Sequence, residues 1–397
     1  METLAIGKTQ AKSGWIVYAA LLLGLIPQGL VEGAVTPALP SMAHDLGVNG
    51  ELAAQMVLGM SALGLTIGAL FSGRVLEWLG TRYAFLSALF VFGLFGWAGE
   101  FLDTPWMLFT TRVIVGFAAS CFATACLWGI SSEFSGPSRG RIYGAAGTIG
   151  GLMVLVSVVV GGILTQHVGW RLTFVQYPAF ALIALPIALF GMPQRKPDAV
   201  RAGRTNYLVR LLPLYVAVVF LYAIIGMMSM QLPFLLDAHG MHDVGQRSLI
   251  QALPGVAAIV GAGLYGLLQK RLGTVTTFLA SLVCFVIGLV LLAISHAFLL
   301  PTIGVCAAGI CIGTSGPYFY HTVADRTDVA SAARLLGYVN ACLYIGVFLN
   351  PLVFEPAKAV IGMRGIFFAG ACVVILIGIS IVLTTARSVE DQSPTSG

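Results

Sequence analysis

Twelve apolar runs, each near the length needed to cross a bilayer, follow one another along this chain with only short polar gaps between them. They fall roughly at 15–40, 52–72, 83–102, 106–132, 143–165, 171–192, 211–235, 248–268, 276–296, 300–320, 335–355 and 365–386. A hydrocarbon core about 30 Å thick is crossed by about 20 residues of helix, so these runs occupy the 397 residues and leave no stretch for a separate soluble domain. Composition agrees, with 58% hydrophobic residues, 9% charged residues and a mean hydropathy of +0.93. One water-soluble core cannot bury that much apolar surface, which excludes a soluble enzyme. The first run follows Lys8 and Lys12 as a signal peptide would, but it is too long for one and eleven more come after it. The seven cysteines all lie inside the runs and read as small apolar packing residues.

Lys and Arg fall in the gaps and divide unequally between alternate sides. Of the 21, sixteen (8, 12, 74, 82, 139, 141, 195, 196, 201, 204, 210, 270, 271, 326, 334 and 387) share the side of both ends, and only Arg171, Arg247, Lys358 and Arg364 lie opposite. Positive charge marks the cytoplasmic side, so both termini are expected there, in a cell inner (plasma) membrane. The net charge of +5 is dispersed through these gaps and forms no basic face, so no nucleic-acid partner is expected.

A repeat runs through the chain at a fixed offset of 193 residues. Gly68, Ala69, Gly73, Leu79, Gly80, Thr81, Phe85, Leu86, Leu89 and Phe92 recur as Gly261, Ala262, Gly266, Leu272, Gly273, Thr274, Phe278, Leu279, Leu282 and Phe285, and Gly169, Arg171 and Phe174 recur as Gly362, Arg364 and Phe367. The expected fold is an all-α integral membrane protein, with twelve helices in two pseudo-symmetric six-helix bundles at 1–192 and 207–397. A cytoplasmic linker at 193–206, rich in Pro, Gly and basic residues, joins them. Two related bundles enclose a cavity between them, the architecture of an alternating-access carrier.

Local motifs carry a family resemblance over essentially the whole chain. The gap after the second run reads Gly73-x-x-x-Glu77-Trp78-x-Gly80-x-Arg82, which resembles the signature loop of the major facilitator superfamily. Arg112-x-x-x-Gly116 is similar to that family's second motif, and Pro37-Ala38-Leu39-Pro40, Asp45-Leu46-Gly47 and Gly169-Trp170-Arg171-x-x-Phe174 resemble its twelve-helix drug and metabolite efflux branch. The resemblance implies the family's fold, proton-driven export of small molecules, and a gating role for Gly73, Glu77, Gly80 and Arg82. Two departures matter. Trp78 stands where the family has a basic residue, and span 5 reads Ser157-Val158-x-x-Gly161-Gly162, lacking the Gly-Pro of the antiporter motif.

Independently of family, Glu32 in span 1 and Arg112 in span 4 are the two ionisable side chains well inside the runs. Such groups are expensive in hydrocarbon and mark transport pathways. Glu32 lies about 12 Å and Arg112 about 9 Å from the outer surface at 1.5 Å per residue, so the two are expected to pair and to carry the coupling proton. Gln28, Tyr222, Asn340 and Tyr344 are the expected cavity residues. A cavity with one acid, one base and mostly apolar walls suits amphipathic or lipophilic organic compounds better than sugars.

The remaining motifs read blandly. Gly261-x-Gly263-x-x-Gly266 lies inside a span and allows close helix contact. His239-x-x-His242 lacks a wider ligand cluster, so no metal and no cofactor is expected. No Walker loop or nucleophile motif is present, and the chain is not expected to be an enzyme. The expectation is a monomeric exporter with a small-molecule substrate, protons as coupling ion and the lipid bilayer as its surroundings. An uptake symporter or facilitator for an organic acid or sugar is the alternative, and a receptor or scaffold without transport a third reading.

Overall fold

The computed structural model describes residues 14–47, 49–134, 136–194, 196, 207–296, 299–327 and 329–390. Of the linker expected at 193–206, residues 195 and 197–206 lie outside the described residues. Every regular element among the described residues is helical. Among the described residues, ten helices are long and apolar enough to cross a membrane. They are α1 (Gly14–Asp45), α2 (Gly50–Ala98), α3 (Pro105–Glu133), α4 (Arg141–His167), α5 (Trp170–Gly191), α6 (Leu211–Met230), α7 (Val244–Leu272), α8 (Thr274–Ala293), α9 (Leu299–Asp325) and α10 (Arg334–Leu383).

The sequence reading expects twelve spans and places loops at 73–82 and after 355. The structure instead runs helically through both places. α2 has 49 residues and α10 has 50, about 73 Å each at 1.5 Å per residue, roughly twice the hydrocarbon thickness. Each is broken at one residue, α2 at Gly80 (φ 75°, ψ 168°) and α10 at Gly362 (φ 74°, ψ 171°). A single left-handed glycine turns the chain without a polar loop, because it has no Cβ to oppose positive φ.

These glycines also make the repeat visible in the backbone. Among the described residues the positive-φ glycines are Gly47, Gly80, Gly169, Gly240, Gly273 and Gly362, and they form three pairs 193 residues apart: 47 with 240, 80 with 273 and 169 with 362. Side chains follow the same register. Phe85 and Phe278, Phe92 and Phe285, and Phe174 and Phe367 are all fully buried. Arg171 donates to Asp103 Oδ1 at 2.8 Å, and 193 residues on Arg364 donates to His296 Nδ1 at the same distance. The buried apolar residues divide accordingly into two cores. One is drawn from residues 20–192 together with Met230, Phe234 and Tyr344, the other from residues 211–381.

Proline sets where helices start and loosen. Pro105 opens α3 at a position whose N–H has no helical partner anyway. α1 is interrupted by 3₁₀ turns at Leu23–Leu25 and Thr36–Ala38, next to Pro27 and Pro37. Large exposed side chains such as Trp15 and Trp106 lie near helix ends, and Trp78 lies beside the break at Gly80, where amphipathic rings favour the bilayer interface.

Candidate functional site

The two halves meet mainly toward one face, here called the far face, opposite to the face of the chain ends. Gln55 of α2 donates to Glu355 Oε2 of α10 at 2.8 Å, and Gln231, just after α6, donates to Gln55 Oε1 at 2.8 Å. Lys358 bridges Glu51 of the first half and Glu355, the latter at 2.7 Å. Gly245 N of α7 donates to Gln166 Oε1 of α4 at 3.0 Å. Gln55 and Gln231 are fully buried, so their amide pairing removes polar groups that could not otherwise be desolvated cheaply.

Along the same helix pairs, contact is lost toward the terminal face. A Cβ on Gly162 would lie 2.4 Å from Ser248, whereas none would meet any atom within 4 Å on Gly151, Gly147 and Gly144 of α4 or on Gly255, Gly263 and Gly266 of α7. Between α2 and α10, a Cβ on Gly59 would lie 3.3 Å from Pro351, but Gly73 and Gly337 have nothing within 4 Å. Gly151 and Gly144 lie 11 and 18 residues from Gly162, Gly255 and Gly266 lie 7 and 18 from Ser248, and Gly73 and Gly337 lie 14 from Gly59 and Pro351, spacings that keep them close to one helical stripe. Each pair is therefore closed at its far end and open at its terminal end.

Glu32 sits between the two α1 interruptions, in the helical segment Ile26–Gly33. The Thr36 hydroxyl donates to the Glu32 carbonyl at 2.7 Å, satisfying it where the helix loosens before Pro37. Although mid-span, the Glu32 side chain is exposed, and it lies within electrostatic reach of Tyr222 of α6 and Tyr344 of α10, from the other half. Tyr320 of α9 is in reach of both tyrosines. The Tyr222 hydroxyl meets Ser315 Oγ at 2.8 Å, and Tyr320 OH donates to Asn340 Oδ1 at 2.7 Å. Tyr222 and Tyr344 are themselves buried, and of the expected cavity residues Asn340 is tied to Tyr320 of α9. Gln28, one turn before Glu32, is half-buried.

The expected pairing of Glu32 with Arg112 is not found. Arg112, 1% exposed, donates through Nη2 to the carbonyls of Phe95 and Gly96, both at 3.0 Å, and its guanidinium lies over the rings of Phe174 (4.6 Å) and Tyr177 (5.1 Å). The reason is the end of α2. Its last four carbonyls, 95–98, lack helical partners; the amides of Glu100 and Phe101 take those of Trp97 and Ala98, and Arg112 takes the other two. A cation there also meets the negative end of the helix dipole. Arg112 is thus a structural anchor between α2, α3 and α5. Arg112→Ala is expected to lower stability by about 2–4 kcal/mol, since each buried acceptor left unpaired costs about 1–3 kcal/mol. Thermal unfolding in detergent checks this, and the pH profile of the remaining transport should stay unchanged. Arg112→Lys, with one point charge for a fork, should lose less.

Of the expected gating residues, Gly73 and Glu77 are exposed within the α2 helix, and Gly80 is its break point. Arg82 donates to the Leu189 carbonyl at 2.7 Å, and its own amide donates to Gln194 Oε1. That fastens the start of the segment after Gly80 to the end of α5. Sequence reasoning missed Tyr320, Ser315 and the Gln55–Gln231–Glu355 ladder. A search for buried amides as well as charges would have raised the two glutamines.

Comparison with known proteins places this geometry. Residues 21–351 match the Major Facilitator Superfamily profile. The chain is 32% identical over 190 residues to the puromycin resistance protein pur8 of Streptomyces alboniger, a match spanning 47% of this chain and 37% of that protein. It is 24% identical over 360 residues to the class H tetracycline resistance protein of Pasteurella multocida, spanning 84% of this chain and 87% of that protein. A solved structure of the nucleoside transporter NupG superposes with a TM-score of 0.71 at 14% identity, covering 92% of this chain and 98% of that one.

Proposed function

Because the chain belongs to the Major Facilitator Superfamily, we propose that it is a secondary active transporter that exports small amphipathic or lipophilic organic compounds by proton antiport. It is a multi-pass membrane transporter and not an enzyme. With α2 and α10 each taken as two crossings at Gly80 and Gly362, the ten helices give twelve crossings. Bundles 1–192 and 207–397 then move about the linker 193–206 in an inner or plasma membrane, the monomer being the working unit. The terminal face carries the excess of Lys and Arg, so it is cytoplasmic and the state described is open inward.

The observation that carries this reading is an exposed carboxylate, Glu32, held mid-span between two halves that close at one face only. Such a group meets each side in turn as the halves rock, and a proton taken up from one side leaves to the other. Export is supported by relatives named for resistance to puromycin and tetracycline. An uptake symporter or facilitator is the second reading, favoured by Ser157-Val158 where the antiporter motif has Gly-Pro. Ser157 donates to the Gly29 carbonyl at 3.2 Å, and Gly161 leaves no room for a Cβ against Ala34, so α4 packs tightly on α1 even without that Pro.

Inverted membrane vesicles with an imposed pH gradient test the choice across a compound panel. Release of the gradient on adding a compound marks exchange. Compound entry without proton movement, or uptake in right-side-out vesicles only, favours the second reading.

A further inference from the structure

A cavity apart from Glu32 lies on the far face, and both halves build it. Its volume is about 450 Å³, and its lining includes His44 and Asp45 at the end of α1, Trp170 at the start of α5, Asp237 and His242 between α6 and α7, and Arg247 in the first turn of α7. Arg247 is only 2% exposed. Its Nη1 donates to Asp237 Oδ1 at 2.6 Å, while its Nε, also buried, has no partner among the described residues. A buried charged donor without an acceptor is costly, and the edge of a guanidinium that carries Nε matches a carboxylate. From the first half comes Asp45, whose Oδ2 accepts from Trp170 Nε1 at 2.7 Å. A carboxylate has about four acceptor sites, so Asp45 keeps room for a further donor. His44 and His242 stand exposed at the rim, each with Nδ1 3.4 Å from a carboxylate oxygen, of Asp45 and Asp237 respectively.

We propose that this cavity binds small zwitterions, with the ligand's carboxylate on the free edge of Arg247 and its ammonium group on Asp45. A simple anion would meet Asp45 and Asp237 with no charge of its own to offer them, and a simple cation would meet the guanidinium. A molecule carrying both charges is matched at each end. Asp45 and Arg247 belong to different halves, so the ligand ties the halves together, and the cavity is complete only while the far face is closed. A ligand that binds one of two states shifts the population toward that state. Zwitterions arriving at the far face therefore hold the carrier open at the terminal face. The site itself stands apart from the export reading, whereas its effect on the two halves rests on alternating access.

The test titrates the purified full chain in nanodiscs with ε-aminocaproate and with its single-charge counterparts of equal chain length, hexanoate and hexylammonium. The zwitterion is expected to bind at least about tenfold more tightly than either, a difference of about 1.4 kcal/mol. Arg247→Lys keeps a cation for Asp237 but loses the Nε edge, and should weaken binding at least about fivefold. Asp45→Asn keeps an acceptor for Trp170 but loses the charge, and should weaken it by a similar factor. At a pH where both conformations are populated, saturating ε-aminocaproate should shift spin labels at Trp78 and Arg271, on the terminal ends of the two halves, toward their longer separation. Equal binding of hexanoate or hexylammonium overturns the proposal, as does unchanged binding in both variants. A shift toward the shorter separation, or none, overturns the bridge between the halves. If the zwitterion binds through Arg247 and Asp45 while no compound releases the pH gradient in vesicles, the site stands and the transport reading fails.

Discussion

Glu32→Gln is expected to abolish proton-driven transport while the protein still folds and inserts. The amide keeps the volume and most of the hydrogen-bonding capacity of the carboxyl, so nothing in the packing of Ile26–Gly33 has to change. What it removes is titration. Glu32 is exposed mid-span, and the other carboxylates near the half interface, Glu51 and Glu355, are tied to Lys358 at the closed far face. Among the described residues these two are held by Lys358 and so are not free to take over a proton-carrying role from Glu32. Transport should fall to background in gradient-driven vesicle assays, while thermal unfolding of the purified variant stays close to that of the native chain. Full gradient-driven transport by the variant would remove Glu32 from the coupling step.

A comparable loss is expected from Gly73→Leu, for a steric reason. In the structure, open at the terminal face, nothing lies within 4 Å of a Cβ at Gly73, so leucine should fit and expression should be normal. When the terminal face closes, α2 and α10 must approach there as they already do at Gly59 and Pro351. An overpacked contact costs about 1–3 kcal/mol, which lowers the population of the closed state by roughly fivefold to 150-fold. The carrier should then be held open at the terminal face, with turnover near background. Gly266, its repeat partner, should respond in the same direction but less, since Lys270 stands where the first half has Glu77. Unchanged turnover in Gly73→Leu would show that this stripe never closes.

Much of the architecture was legible because a bilayer imposes simple rules on sequence. Apolar runs gave the helices, and the repeat at 193 residues anticipated the matched backbone of Gly80 and Gly273 and of Gly169 and Gly362. The third pair, Gly47 and Gly240, escaped notice because its neighbours, Asp45-Leu46 and Ala238-His239, share nothing. The helical continuity of α2 through 73–82 was hidden because polar residues there suggest a loop, while one glycine suffices for the turn. For Glu32 and Arg112, similar depth suggested a pair. Depth is one coordinate, and the direction of a side chain around its helix depends on neighbours, here the orphan carbonyls at the end of α2 and the rings of α5. The glutamine ladder was passed over because uncharged amides look ordinary until burial shows they must be paired.

Alternating access driven by Glu32 is tested most directly by two distances measured on one protein. Spin labels at Trp78 and Arg271, on the terminal ends of the two halves, report one face, and labels at Val168 and Val360 report the other, in a background with the native cysteines replaced. All four positions are exposed in the structure. Changing pH across the titration of Glu32, or adding a transported compound, should shorten the first distance and lengthen the second by several ångströms, or the reverse. Glu32→Gln should abolish the pH response of both. Distances that stay fixed under pH and substrate, that change in the same sense, or that respond to pH as fully in Glu32→Gln as in the native chain, would contradict the account.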